Sequence, residues 1–246
     1  MAIFKNMLLI NPDIHGRTFW KDSKDLPVDK IIFLGDYLDP YTKYELIIKK
    51  EALENFKEII DFKKANKDKV ILLIGNHDCE YLDTSICDCR CDYNNYNEIQ
   101  DLIIENNELF DLFYKYENKN KSFLFSHAGI ADGWIDRYFK GENQLNILEK
   151  LFLKNRDNFR NLDDSFLLSM GAVSSFRGGD SDYGSIVWRD VRESISERFG
   201  YQIFGHTMLA KPYVTKNYAC LDVKRSFILN DENKFCEIDG TELKIY

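Results

Sequence analysis

Five apolar runs, at residues 6–10, 30–34, 70–74, 122–125 and 201–204, each lead into a short turn built from glycine, aspartate, asparagine or histidine. Short apolar runs bounded in this way mark strands buried in a sheet. Ligand sites in layered α/β proteins lie beyond the C-terminal ends of such strands. The five turns are Asp13-Ile14-His15-Gly16, Gly35-Asp36-Tyr37-Leu38-Asp39, Gly75-Asn76-His77-Asp78, Ser126-His127-Ala128-Gly129 and Gly205-His206-Thr207, and they hold all four histidines of the chain. Neutral imidazole together with carboxylate and amide oxygen is the donor set that divalent metals recruit.

The 246 residues suit one α/β domain over 1–246, with no Pro/Gly/Ser-rich linker, repeat or low-complexity tract. Helical spacing predicts core-facing helices between the strands. Residues 43–66 put Leu46, Ile47, Leu53, Phe56, Ile59, Ile60 and Phe62 on one broad face. Residues 96–113 do so with Ile99, Leu102, Ile103, Leu109 and Phe113, and residues 143–154 with Leu145, Ile147, Leu148, Leu151 and Phe152. After Gly205 come short strands at 213–214, 218–222, 226–229, 235–238 and 243–246, one turn between them being Asp239-Gly240. They suggest a second sheet on the first: two mixed β-sheets packed as a sandwich flanked by α-helices. Residues 171–187 are the longest loop-like stretch, and long loops in compact domains are often functional.

The ordered set Asp-x-His, Gly-Asp-x-x-Asp, Gly-Asn-His-Asp, His and Gly-His resembles the calcineurin-like metallophosphoesterase superfamily. Asp13-Ile14-His15-Gly16, Gly35-Asp36-Tyr37-Leu38-Asp39 and Gly205-His206-Thr207 are similar to its serine/threonine phosphoprotein phosphatase branch, which includes symmetrical diadenosine tetraphosphatases. The motifs run from Asp13 to His206 and so cover most of the chain. Each alone is weak; five in this order are specific. The resemblance implies the same sandwich fold and a phosphoesterase working with two divalent metal ions.

Hydrolysis of a phosphate ester needs a nucleophile, neutralised phosphoryl oxygens and a proton for the leaving oxygen. Two metals about 3.5–4 Å apart supply the first two, through metal-activated hydroxide. Asp36 is the candidate bridging carboxylate, with Asp13 and His15 on the first ion and Asn76, His127 and His206 on the second. Asp13 and His15 lie two residues apart, so an extended strand tip lets both point at one ion. Asn76 adds a neutral amide oxygen, which leaves positive charge for an anionic substrate that it is also expected to touch. Taken alone, an aspartate such as Asp36 would read as a cap or turn residue; the full set makes it a ligand. Oxygen and imidazole donors suit manganese, iron, zinc or cobalt, and the resemblance favours manganese. The resemblance also leaves His77 without a metal and places it over the leaving group, paired with Asp39. A carboxylate beside an imidazole favours the protonated form of a general acid. The plainer alternative is a His77 that only orders the site.

Pro40 follows Asp39, where the phosphoprotein phosphatases carry an arginine that grips the substrate phosphate. Arg17, Arg177, Arg189 and Arg192 are the candidate replacements, because a guanidinium fork matches phosphate oxygens. Arg177 lies in the glycine-rich loop, and Trp188-Arg189 resembles a Trp-x-Arg element of the tetraphosphatases with shifted spacing; a surface ion pair is the plainer reading of each. Asp78 and Asp222 are expected to support the site from behind.

Formal charge is −8, from 33 basic against 41 acidic residues, which argues against a nucleic-acid polymer as partner. The first ten residues carry a lysine inside a short apolar run, unlike a secretory signal. No apolar stretch approaches the roughly 20 residues that span a bilayer, so the expectation is a cytoplasmic protein without membrane contact. Cys79, Cys87, Cys89 and Cys91 are expected to be thiols rather than a zinc site, whose usual spacing is Cys-x₂-Cys; Cys220 and Cys236 read as small buried residues in strands. The expected substrate is a phosphorylated protein or small phosphate ester, with a nucleotidohydrolase of dinucleoside polyphosphates as alternative. A scaffold without turnover would have lost ligands.

Overall fold

The computed structural model describes residues 7–86, 90–119, 121–239 and 242–246. Among them the strands are β1 (Leu8–Asn11), β2 (Lys30–Phe33), β3 (Val70–Leu73), β4 (Phe110–Asp111), β5 (Phe113–Glu117), β6 (Ser122–Ser126), β7 (Tyr201–Phe204), β8 (Tyr213–Val214), β9 (Tyr218–Cys220), β10 (Phe227–Leu229), β11 (Phe235–Asp239) and β12 (Glu242–Ile245). The helices are α1 (Thr42–Glu45), α2 (Lys49–Ala65), α3 (Asn76–Cys79), α4 (Tyr96–Glu105), α5 (Asp132–Tyr138), α6 (Gln144–Arg156) and α7 (Asp164–Met170). One sheet runs β12-β11-β10-β1-β2-β3-β4 and the other β5-β6-β7-β9-β8. β1 to β4 are parallel, as are β6, β7 and β9, and antiparallel strands complete both sheets. The two mixed sheets with flanking helices are the expected architecture.

The apolar runs are continuous because both faces of the central strands are covered. Leu8, Ile10, Ile32, Leu34 and Leu73 pack in one cluster with Phe123, Phe125, Tyr201, Ile203 and Ala219 of the other sheet. The alternate residues Leu9, Ile31, Phe33, Val70 and Leu72 belong to a second cluster with Leu53, Phe56, Ile59 and Ile60 of α2 and Ile99 and Ile103 of α4. Each large side chain so buried stabilises the fold by about 1.5–3 kcal/mol. Truncating Phe56, fully buried and stacked on Tyr37, would cost about 3–5 kcal/mol.

The single helix expected over 43–66 is two. Leu46 adopts φ 55° in the left-handed region and Ile48 is extended, so α1 stops and α2 begins afresh with Glu51 accepting from the Ile48 N–H at 3.1 Å. Leu46 is 92 % exposed instead of facing the core. Beside the break, Glu45 accepts hydrogen bonds from Arg17 at 2.6 and 2.9 Å. Helix α4 ends at Glu105, and the rest of 96–113 is a 3-10 turn and strands: Leu109 is buried at the end of the turn, and Phe110 and Phe113 are buried in strands. The short helices α5 and α7 were outside the sequence expectation. Strands after Gly205 do not make a sheet of their own; β8 and β9 join the second, and β10 to β12 return to extend the first beyond β1. Cys236 is half-buried, Cys220 fully buried. Met1 to Asn6, Cys87, Cys89 and Gly240 lie outside the described residues. No described helix is long and apolar enough to cross a membrane.

Candidate metal centre

β1, β2, β3, β6 and β7 deliver their five turns to one place, and hydrogen bonds stitch the turns together. The N–H groups of Ile14 and His15 both donate to the Asp36 carbonyl, at 3.0 and 2.7 Å, and Gly16 donates to that of Tyr37 at 3.0 Å. Asp78 binds behind them, accepting from the N–H groups of Asp36, Tyr37 and Gly75 at 2.8, 3.0 and 2.8 Å. Burial pushes its carboxyl up to about 6 against the pull of those three donors. Four non-glycine residues here, His15, Asp36, Asp39 and His206, have φ of 45–62° in the left-handed region. Such strain concentrates at functional sites. Gly75 and Gly205 are needed for close approach: a Cβ at Gly75 would run into the Asp36 carboxylate, and one at Gly205 into that of Asp13.

His15, His127 and Asp36 each have one polar atom tied to the protein and another turned inward. His15 Nδ1 lies 2.8 Å from the Leu38 carbonyl and His127 Nδ1 2.8 Å from that of Leu34, so both rings hold their proton there and present Nε2 as a lone pair. Asp36 Oδ1 accepts from the His77 N–H at 2.9 Å, and its Oδ2 stands 3.5 Å from both His15 Nε2 and His127 Nε2. His127 Nε2 also has Asn76 Oδ1 at 3.0 Å and His206 Nδ1 at 3.1 Å. Acceptors converging in this way fit a cation. Among the described residues three sets of His, Asp and Glu side chains could hold a metal: His15 with Asp36 and His77, Asp36 with His127 and His206, and Asp39 with His77 and Glu80. Asp36 is common to the first two, the position of a bridge. Asp13 is in neither set; its Oδ1 takes the His206 N–H at 2.9 Å.

The electrostatics suit cation binding. Burial, helped by the charges of His77, Arg17 and Arg90, holds the His15 imidazole well below its usual range; burial and Arg177 do the same for His206, and burial lowers His127. The shift favours the neutral form of all three rings, the form that could bind a cation. Burial with the charges of Asp13 and Asp78 pushes Asp36 well up, and burial with Asp13 pushes up Asp222, which is 4 % exposed.

His77 Nδ1 lies 2.9 Å from Asp39 Oδ2 and 3.7 Å from Glu80 Oε2, and Tyr81 donates its hydroxyl to Asp39 Oδ1 at 2.5 Å. The expected pair is thus set among buried supports, of which Glu80 and Tyr81 carry no motif signal. The expected arginines divide. Arg189 is fully buried and donates to the carbonyls of Ser194, Ala128 and Glu193 at 3.2, 3.1 and 2.7 Å, so it braces the chain and offers no donor to a substrate. Arg17 is held by Glu45, and Arg192 by Asp190 at 2.7 Å. Arg177 reaches the centre's edge, donating to the His206 carbonyl at 2.6 Å, with Asp190 3.1 Å from its Nε. Arg90, which the sequence reading passed over, lies 3.3 Å from His77 Nε2. Its neighbours in sequence are cysteines and an aspartate, with nothing to mark it. Cys79 and Cys91 are buried free thiols in none of the metal-capable sets, and Cys87 and Cys89 are outside the described residues.

The two-sheet sandwich thus places a carboxylate between imidazoles at its strand ends. The chain belongs to the calcineurin-like phosphoesterase family, whose model matches residues 13–209; the family is dependent on two metal ions. No curated protein sequence matches this chain. Among solved structures, the cold-active protein-tyrosine phosphatase of a psychrophilic Shewanella species is similar with TM-score 0.61 and 16% identity, over 98% of this chain and 80% of that one. A point mutant of a cold-active protein tyrosine phosphatase gives TM-score 0.64 at 14% identity, over 98% and 80% of the two chains. At such identities the likeness is one of fold.

Proposed function

We propose that the chain is a phosphomonoesterase of the serine/threonine phosphoprotein phosphatase type, acting on a phosphorylated protein or a small phosphate ester with two bound divalent ions. The observation that carries this reading is Asp36 Oδ2, 3.5 Å from both His15 Nε2 and His127 Nε2. Asp36 would join both ions, with Asp13 and His15 on one and Asn76, His127 and His206 on the other; manganese is our first choice. When bound, the ions supply the positive charge that activates the attacking water and neutralises the phosphoryl oxygens.

His77, oriented by Asp39 2.9 Å away, gives the proton to the leaving oxygen. That proton matters most for an alkoxide, as in phosphoserine or phosphothreonine, which favours the monoester. Asn76 and Arg177 border the place where the phosphoryl group would sit. We place the work in the cytoplasm, where the buried thiols of Cys79, Cys91 and Cys220 stay reduced. The test is a panel of phosphoserine and phosphothreonine peptides, nucleotides and diadenosine tetraphosphate, assayed with manganese. Turnover of the phosphopeptides is expected; a clear preference for diadenosine tetraphosphate would make the enzyme a nucleotidohydrolase instead.

A further inference from the structure

Arg90 enters the centre from the segment before α4. Its Nε donates to the Asp39 carbonyl at 3.2 Å, and its Nη2 lies 3.3 Å from His77 Nε2. The guanidinium carbon stands 3.7 Å from the centroid of the Tyr41 ring, which meets His15 edge-on with centroids 5.1 Å apart. The side chain is partly exposed. Arg17, Arg177 and Arg192 are each tied to Glu45 or Asp190, whereas Arg90 pairs with no carboxylate among the described residues.

We propose that Arg90, stacked on Tyr41 beside His77, grips the phosphoryl group of a dianionic monoester and is the residue that separates monoesters from diesters at this centre. The inference rests on the phosphoesterase reading above. A guanidinium has donors only, so while Arg90 sits there it donates to the lone pair of His77 Nε2, and only after the guanidinium has turned away does the ring take up the proton that it gives to the leaving oxygen. A phosphate oxygen is the stronger acceptor and takes two parallel charge-assisted bonds from one arginine. Arg90 has no ion pair to a described carboxylate to give up in turning to the phosphate, whereas Arg17 and Arg177 would each have to leave one, to Glu45 and Asp190. Its move also uncovers His77 Nε2, the nitrogen that must face the leaving oxygen. Stacking on Tyr41 keeps the cation at the rim of the centre. A positive charge with no carboxylate partner among the described residues, brought against the phosphoryl group, favours a doubly charged monoester over a singly charged diester.

The experiment uses the full chain loaded with manganese. Orthophosphate binding is measured by calorimetry, and kcat and KM with p-nitrophenyl phosphate and bis(p-nitrophenyl) phosphate, for the parent, Arg90→Ala, Arg90→Lys, Tyr41→Ala and Tyr41→Phe. Arg90→Ala should weaken orthophosphate binding and lower monoester kcat/KM about ten- to a hundredfold, the effect of one charge-assisted contact. Diester turnover should fall clearly less, with manganese content unchanged. Arg90→Lys should recover part of the loss; Tyr41→Ala should give a smaller loss that Tyr41→Phe restores. Parent-like orthophosphate affinity and an unchanged monoester-to-diester ratio in both Arg90 variants would overturn the proposal, and Arg90→Lys carries the comparison alone if the alanine variant does not fold. A parent inactive on both esters would defeat the phosphomonoesterase reading, while the orthophosphate titration would still decide for Arg90.

Discussion

His77 turns Nδ1 to Asp39 Oδ2 at 2.9 Å, which leaves Nε2 as the only ring nitrogen able to serve a substrate. If it protonates the departing oxygen, its value depends on how much that oxygen needs a proton. His77→Asn should cost roughly 10²–10⁴-fold with phosphoserine and clearly less with p-nitrophenyl phosphate, whose phenolate leaves unaided. Asp39→Asn should weaken the same step more mildly. Equal losses on both esters together with metal loss would make His77 a ligand.

Asp36→Asn tests the bridge. The substitution removes a formal charge from a point 3.5 Å from both His15 Nε2 and His127 Nε2. Elemental analysis of the purified variant should find fewer than two ions per chain, and activity should fall with them. Two tightly held ions and parent-like turnover would contradict the assignment.

Stability of the chelated protein should fall above neutral pH. Asp36 has a raised folded value, so its contribution is fully present below the unfolded value of about 4 and is lost as pH rises through the folded one. His15, His127 and His206 are depressed and carry the opposite sign, their contribution lost as pH falls below about 6.5. Above about 6.5 only the carboxyl still titrates among these groups. Tm of the chelated protein should therefore fall relative to the manganese-loaded protein as pH rises above about 6.5, until Asp36 has passed its raised folded value, as followed by calorimetry. Parallel Tm curves for the two forms would mean that Asp36 is already ionised at neutral pH.

Arg189 and Arg177 should fail in different ways. Arg189→Ala removes three buried hydrogen bonds and should cost ~3 kcal/mol, a Tm loss of roughly 6–12 °C, with KM unchanged in the folded fraction. Arg177→Ala should raise KM with little change in Tm, because that side chain is 26 % exposed at the edge of the centre. A raised KM in Arg189→Ala at parent stability would return that residue to the substrate.

The strands that carry the centre were legible because each is a short apolar run closed by polar chemistry, and burial on both faces leaves no other reading of residues 30–34 or 70–74. The break at Leu46 was not legible: helical spacing continues through it, while Glu45 beside it is paired with Arg17, 28 residues away. Two arginines show the same limit. Arg189 sits beside a suggestive tryptophan yet is spent on carbonyls, while Arg90 reaches the centre only because the fold returns it to Asp39, 51 residues back. Local pattern encodes the ligands, which lie at strand ends; it does not encode partners brought in by loops.

The left-handed φ of His15, Asp36, Asp39 and His206 limits which replacements the centre tolerates. Aspartate, asparagine and histidine are the side-chain types most at ease in that conformation after glycine. The residue types that suit a metal are thus also those that suit the bend, and two unrelated demands choose the same side chains. Exchange among these three types would spare the backbone, whereas a β-branched residue at any of the four positions would fail before its chemistry mattered. Drift at these codons is confined on both counts, even where the enzyme's substrate changes.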